Sequence, residues 1–171
     1  ERYYYPDQDA NPSNPRAHYL GTGAEILDQV GDRITHFASA LGTSGTMMGT
    51  TRRLREHSRP IQCIALEPAE ALHGLEGLKH MASSIVPPIY DASTFDEVMP
   101  VKTDDGWDMS ERLAAQEGIY VGHSTGANVA GAVQVAKRLI AKGEEGCVVT
   151  IAADRGDRYF APMKWEKHYV R

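Results

Sequence analysis

A run of small residues, Ala38-Ser39-Ala40-Leu41-Gly42-Thr43-Ser44-Gly45-Thr46-Met47-Met48-Gly49, admits few structures besides a buried strand, a tight turn and a helix start. Ile34 to Leu41 is short and mostly apolar, as a strand covered on both faces should be. Gly42 and Gly45 let the backbone approach a bound group with no Cβ in the way. Thr43, Ser44 and Thr46 supply hydroxyls and capping side chains. From Met47 the apolar positions 47, 48, 51 and 54 follow helical spacing, which predicts a helix over 46–56. A helix that starts after a parallel strand offers free N–H groups and its positive dipole end to an anion.

The turn is not a Walker A loop, because no Gly-Lys-Ser/Thr follows it. The glycines at 42, 45 and 49 have the wrong spacing for the dinucleotide fingerprint, and no acidic residue ends a strand about 20 residues later. An ordinary strand-to-helix turn remains open on this stretch alone.

The 171 residues suffice for one domain with a sizeable core. A net charge of −5, with no Lys/Arg run, argues against nucleic acid as a partner. No apolar stretch is long enough to span a membrane. The start, Glu1-Arg2-Tyr3-Tyr4-Tyr5, has neither signal-peptide shape nor an initiator Met, so the chain is expected to be cut from something longer. Cys63 and Cys147 fall in expected strands and read as small core residues of a reducing compartment. Seven histidines show no ligand spacing, so no metal site is expected.

In chain order, residues 1–15 read as a strand end running into a turn, marked by Asn11-Pro12 and Asn14-Pro15, and a short helix. Thr22-Gly23-Ala24-Glu25 has capping-box spacing, with Ile26, Leu27 and Val30 as the apolar face behind it. Ile61 to Leu66 is the next strand, which closes a βαβ unit. Residues 69–92 lack periodicity and read as a long functional loop. Asp96 to Lys102 suggests a strand, and Asp108 an N-cap for a helix ended by Gly118. A second unit follows: strand Ile119-Tyr120-Val121, turn Gly122-His123-Ser124-Thr125-Gly126, a helix over 127–142 and strand 147–151. Its helix is expected to bury Val129, Ala132, Val133, Ala136, Leu139 and Ile140. Residues 154–171 suggest a loop and a terminal helix. The fold class is therefore α/β, an open parallel sheet with helices on both faces, whose ligand sits at the carboxyl ends of the strands. His123 reads as a neutral packed histidine, Met47 and Met48 as core, and Tyr3, Tyr4, Tyr5 and Trp107 as core or domain-interface aromatics.

Gly122-His123-Ser124-Thr125-Gly126 also satisfies G-x-S-x-G, with Asp154 and His168 following in the order of a hydrolase triad. Little sheet remains after this elbow, and no oxyanion segment precedes it. The hydrolase reading would also leave the first glycine turn without a role.

Gly42-Thr43-Ser44-Gly45-Thr46 resembles the G-T-G-G-T phosphate loop of the cysteine synthase family of pyridoxal-phosphate enzymes. Glu117 to Asn128 resembles that family's E-G-x-x-x-G-x-S-S-G-A segment, and Asp154-Arg155-Gly156-Asp157-Arg158-Tyr159 its D-S-G-E-R-Y segment. Asn11-Pro12-Ser13-Asn14-Pro15 and Thr22-Gly23-Ala24-Glu25-Ile26 are similar to its N-P-x-N-P and T-G-x-E-I blocks. Glu76-Gly77-Leu78-Lys79-His80-Met81 sits at its glycine-rich active-site loop and is similar to the cysteine synthase B branch. The blocks run in family order across nearly the whole chain.

The resemblance implies fold type II and pyridoxal 5'-phosphate as cofactor. The cofactor phosphate is expected on Gly42, Thr43, Ser44, Gly45 and Thr46, with Ser124 facing the pyridine nitrogen. It implies β-replacement on an O-activated L-serine by sulfide or another thiol to give L-cysteine, in a cytoplasmic homodimer. The family's Schiff-base lysine matches none of Lys79, Lys102, Lys137, Lys142, Lys164 and Lys167. Residues 1–171 are therefore expected to form a single domain that carries no catalytic residue and is inactive alone, with the lysine-bearing half preceding Glu1. Lys79 reads as a solvated loop lysine. A non-catalytic module binding phosphate or a nucleotide through the same turn remains the alternative.

Overall fold

The computed structural model describes residues 3–159. Its elements are α1 (Ser13–Leu20), α2 (Thr22–Val30), β1 (His36–Ala40), α3 (Gly45–His57), β2 (Gln62–Pro68), β3 (Glu97–Val101), α4 (Thr103–Glu117), α5 (His123–Lys142) and β4 (Val148–Thr150). The expected terminal helix falls mainly outside the described residues, which reach only a short 3₁₀ turn at Gly156–Tyr159.

Four parallel strands lie in the order β3-β2-β1-β4. Side-chain alternation splits the core into two layers. Phe37, Cys63 and Ala65 face one way, against Met47, Met48 and Leu54 of α3 and Ile26 of α2. Ala38, Ile64, Leu66, Met99 and Val101 face the other way, against Ala127, Ala130 and Val135 of α5. The α/β architecture with both sheet faces covered agrees with the sequence pattern, as do the buried Met47 and Met48.

β1, α3 and β2 form the first expected unit. The second differs. Ile119-Tyr120-Val121 is not a strand, and only Val121 makes an isolated antiparallel bridge, to Arg155. Tyr120 and Ile119 are half-exposed, so their β-branched and aromatic character did not reflect burial in a sheet. The chain instead crosses from β3 at one edge to β4 at the other through α4 and α5.

α4 begins at Thr103, so Asp108 lies inside the helix and caps nothing. Upstream of it, Gly106 is buried within α4. A Cβ there would meet Leu75 Cδ2 at 2.7 Å and the Ala127 backbone nitrogen at 3.3 Å. Glycine is present because α4 and α5 cross closely. The buried stripe of α5 is also rotated from the expected one, onto Ser124, Ala127, Asn128, Gly131, Val135 and Leu139. Ile140 is 77% exposed. Polar and glycine positions carry this contact, which an apolar count overlooks. Gly118 and Gly143 end their helices in the left-handed conformation, as expected.

The capping box at α2 does not form. Gly21 is the N-cap, with no side-chain hydrogen bond, and the Thr22 hydroxyl instead meets His18 Nδ1 at 3.0 Å. Cys63 is fully buried, and burial pushes its thiol pKa up. Cys147 is only half-buried and precedes β4. Tyr3, Tyr4 and Tyr5 are exposed rather than core, and the expected strand end does not form among residues 3–12.

A Cβ at Gly126 would lie 1.9 Å from the Gly106 carbonyl oxygen. Gly126→Ala is expected to lower unfolding free energy by about 1–3 kcal/mol, the usual cost of overpacking, as measured by urea denaturation.

Candidate cofactor site

β1 pairs with β4 only as far as Ala38 opposite Thr150. Past that point Asn128 of α5 stands between the diverging chains. Its Oδ1 accepts the Ala40 N–H at 2.7 Å, and its Nδ2 donates to the Ile151 carbonyl at 2.8 Å. Below it, the Thr150 hydroxyl donates to the Ala38 carbonyl at 2.7 Å. A crevice opens here, at the carboxyl ends of the two strands where the chain order reverses. Open α/β sheets place ligands at such switch points.

The crevice holds a cavity of about 420 Å³. Gly42, Thr43, Ser44, Gly45 and Thr46 line it from the β1–α3 turn, and Ser124 and Asn128 line it from α5. The two glycine turns thus meet at one end of the sheet, and every expected site residue is gathered there. No side chain caps α3 or α5. The first N–H groups of α3, without partners inside the helix, are available to the cavity. Ser44 adopts φ +72°, left-handed backbone that costs a non-glycine residue about 1–2 kcal/mol. Its hydroxyl is buried without a hydrogen-bond partner.

Asn14 backs the turn. A Cβ on Gly45 would fall 1.7 Å from Asn14 Oδ1, so Gly45 is required for close approach. The excursion between β2 and β3 forms the opposite wall, with Glu76, Gly77 and Leu78 on the cavity. The Lys79 N–H donates to the Leu41 carbonyl at 2.8 Å. Lys79 itself is not a solvated lysine: its ammonium pairs with Asp9 at 2.8 Å and does not line the cavity. Trp107 ties the excursion to α4, donating from Nε1 to the Gly74 carbonyl at 3.1 Å. Its ring stacks on His123 at 4.7 Å and 18°, and His123 tilts against Tyr159 at 5.3 Å. Trp107 is therefore a half-exposed clasp between the excursion and α4 rather than a core residue, and His123 is packed between two rings.

The far side of the cavity carries Asp154, Tyr159 and Glu76. The Tyr159 hydroxyl donates to Asp154 Oδ2 at 2.5 Å. That bond to the carboxylate pushes the phenol up to about 12. The cavity is thus polarised. Free amides and hydroxyls lie at the α3 end, and acidic side chains at the Tyr159 end. Its lining includes no Lys or Arg among the described residues, so an anion would be held by dipoles and hydroxyls. The uncapped α3 start and the unpartnered Ser44 hydroxyl fit a phosphate group.

The sequence profile of the pyridoxal-phosphate dependent enzymes matches residues 1–154. The chain belongs to that family. Within it, the chain is 45% identical over 159 residues to a cysteine synthase of Aquifex aeolicus, covering 93% of this chain and 49% of that protein. It is 43% identical over 164 residues to cysteine synthase B of Escherichia coli, covering 95% and 52%. Among solved structures, O-acetyl serine sulfhydrylase isoform 3 of Entamoeba histolytica superposes with TM-score 0.85 at 30% identity, covering 93% of this chain and 48% of that one. An O-ureido-L-serine synthase gives TM-score 0.84 at 32% identity, covering 99% and 55%. The expected place among the cysteine synthases, on the fold of their solved relatives, is borne out. The chain spans about half the length of the curated relatives it matches.

The hydrolase reading fails on the structure and the comparisons together. No strand leads into Gly122, and the relatives above are cysteine synthases. His168 lies outside the described residues. Among the described residues, no helix is long and apolar enough to cross a membrane. No cluster of His, Cys, Asp or Glu there could hold a metal ion. Sequence reasoning assigned no role to Asn14 and Asn128. The only sign of them was two asparagines inside family-like blocks, because their partners lie 29 and 88 residues away.

Tyr159 holds its proton more tightly folded than unfolded. Its contribution to stability is therefore complete below pH 10 and is lost as pH rises toward about 12. Ultraviolet titration should find one tyrosine ionising near 12, returning toward the ordinary range in Asp154→Asn.

Proposed function

We propose that this chain supplies the cofactor-phosphate cradle of a pyridoxal-phosphate-dependent cysteine synthase. The whole enzyme would carry out β-replacement on an O-activated L-serine, with sulfide as the incoming group and L-cysteine as product. Support comes chiefly from one observation: the uncapped starts of α3 and α5 converge on a single polarised cavity at the β1/β4 switch point.

On this reading, backbone N–H groups of residues 42–46 and the hydroxyls of Thr43, Ser44 and Thr46 hold the phosphate. Ser124, in reach of the Tyr159 hydroxyl at the opposite end, faces the pyridine nitrogen. A hydroxyl there does not keep that nitrogen protonated as a carboxylate would. The cofactor, when bound, supplies an electron sink for the substrate α-carbon, and a weak sink suits elimination and replacement at Cβ. The excursion bearing Glu76, Gly77 and Leu78 walls the site and limits water. None of the described lysines lines the cavity, and on this reading the cofactor-anchoring lysine belongs to the part of the whole enzyme that its relatives have and this chain does not span. The reading also implies a cytoplasmic homodimer, and light scattering on the whole protein tests the assembly.

In the whole protein, Thr43→Val should weaken pyridoxal phosphate binding about tenfold, the worth of one hydrogen bond to a charged group, by fluorescence titration. Ser124→Ala should lower cysteine formation from O-acetylserine and sulfide, and the wild type should form no adduct with a serine-directed phosphonate. Failure of the wild type to bind the cofactor would overturn the proposal.

A further inference from the structure

We propose that Asn14 is a positioning residue, which fixes the Thr43 hydroxyl as a hydrogen-bond donor toward the cavity. The inference rests on the phosphate reading of the 42–46 turn. Asn14 Nδ2 lies 2.9 Å from the Gln8 carbonyl and 2.9 Å from Thr43 Oγ1. The Gln8 carbonyl can only accept, so the nitrogen of the amide is the atom that faces both groups. Both N–H bonds are then spent, one on each partner. Thr43 Oγ1 receives a hydrogen bond from behind, and its own proton is left to donate.

A hydroxyl facing an anion is useful only as a donor. A threonine free to rotate spends part of its time with the proton turned away. Asn14 removes that freedom without touching the ligand, and it does so from α1, on the far side of the turn from the cavity. The packing agrees: Gly45 has no Cβ because Asn14 Oδ1 occupies that volume. One turn along the same helix, His18 Nε2 reaches Thr46 Oγ1 at 3.2 Å, so a single face of α1 backs both threonines.

Asn14→Asp keeps the shape and reverses the polarity. The carboxylate accepts the Thr43 proton and adds a negative charge behind the anion. The test uses the whole protein, with pyridoxal phosphate and phosphate-free pyridoxal titrated by fluorescence, and with circular dichroism as a check on the fold. Asn14→Ala should weaken pyridoxal phosphate about tenfold, and Asn14→Asp about a hundredfold, while pyridoxal affinity holds. In a Thr43→Val background, Asn14→Ala should add nothing further, because the two act as one unit. Equal losses for both ligands would mark Asn14 as merely structural and overturn the inference, as would wild-type affinity in a folded Asn14→Asp protein. Should Asn14→Asp fail to fold, additivity of Asn14→Ala with Thr43→Val would overturn it instead. A wild type that binds pyridoxal phosphate while the variants stay unaffected sinks this inference alone. A wild type that does not bind it sinks the functional reading too.

Discussion

The structure depends on Asn128 standing where a sheet ladder would otherwise continue. β1 and β4 run side by side and then part. At the parting, one amide side chain takes the Ala40 N–H and supplies the Ile151 carbonyl with a donor. Without it, both groups would face an opening with no partner, which is costly for backbone polar atoms away from water. With it, the sheet can split without loss of hydrogen bonding. The split creates the cavity, and α5, which carries Asn128, delivers Ser124 to the same place one turn earlier. The wedge and the site are thus built from one helix.

Around that wedge the remaining parts are held by long-range contacts of modest individual strength. Asn14 reaches Thr43 from α1, Trp107 reaches Gly74 from α4, and Lys79 reaches Asp9. The exposed or half-exposed ion pair between Lys79 and Asp9 is worth little by itself. Its effect is geometric, because it closes the N-terminal stretch over the excursion that forms one cavity wall. The polarity of the cavity follows from the same assembly. The start of α3 faces one end, and the Asp154–Tyr159 pair occupies the other, beside the start of α5.

Much of this was legible in the residues. The glycine turn, β1, α3 and β2 follow from an apolar run, two glycines and helical spacing, all local signals. That Gly42 to Thr46 and Ser124 would line one cavity was readable because both turns sit at strand or helix boundaries on the same edge. The errors arose where a local signal was outvoted by a distant contact. Asp108 looked like a helix cap, yet α4 starts at Thr103 and crosses α5 closely at Gly106. Ile119-Tyr120-Val121 looked like a strand, yet β1 already has β2 and β4 on its two sides. The apolar stripe on α5 was misplaced because the true contact is made by Ser124, Asn128 and Gly131, residues that no hydrophobic count selects. Asn14 and Asn128 stayed silent because an asparagine's role is set by what it faces.

Ser44 carries two burdens at once: a backbone conformation that glycine would adopt freely, and a buried hydroxyl with no partner. A chain under selection for the empty state alone would exchange it for glycine and gain on both counts. A guest in the cavity that accepts a hydrogen bond from this hydroxyl would satisfy it. Any guest that does so raises the melting temperature by mass action, the relief of that unmet bond being part of its affinity. Heat resistance thus becomes a gauge of occupancy.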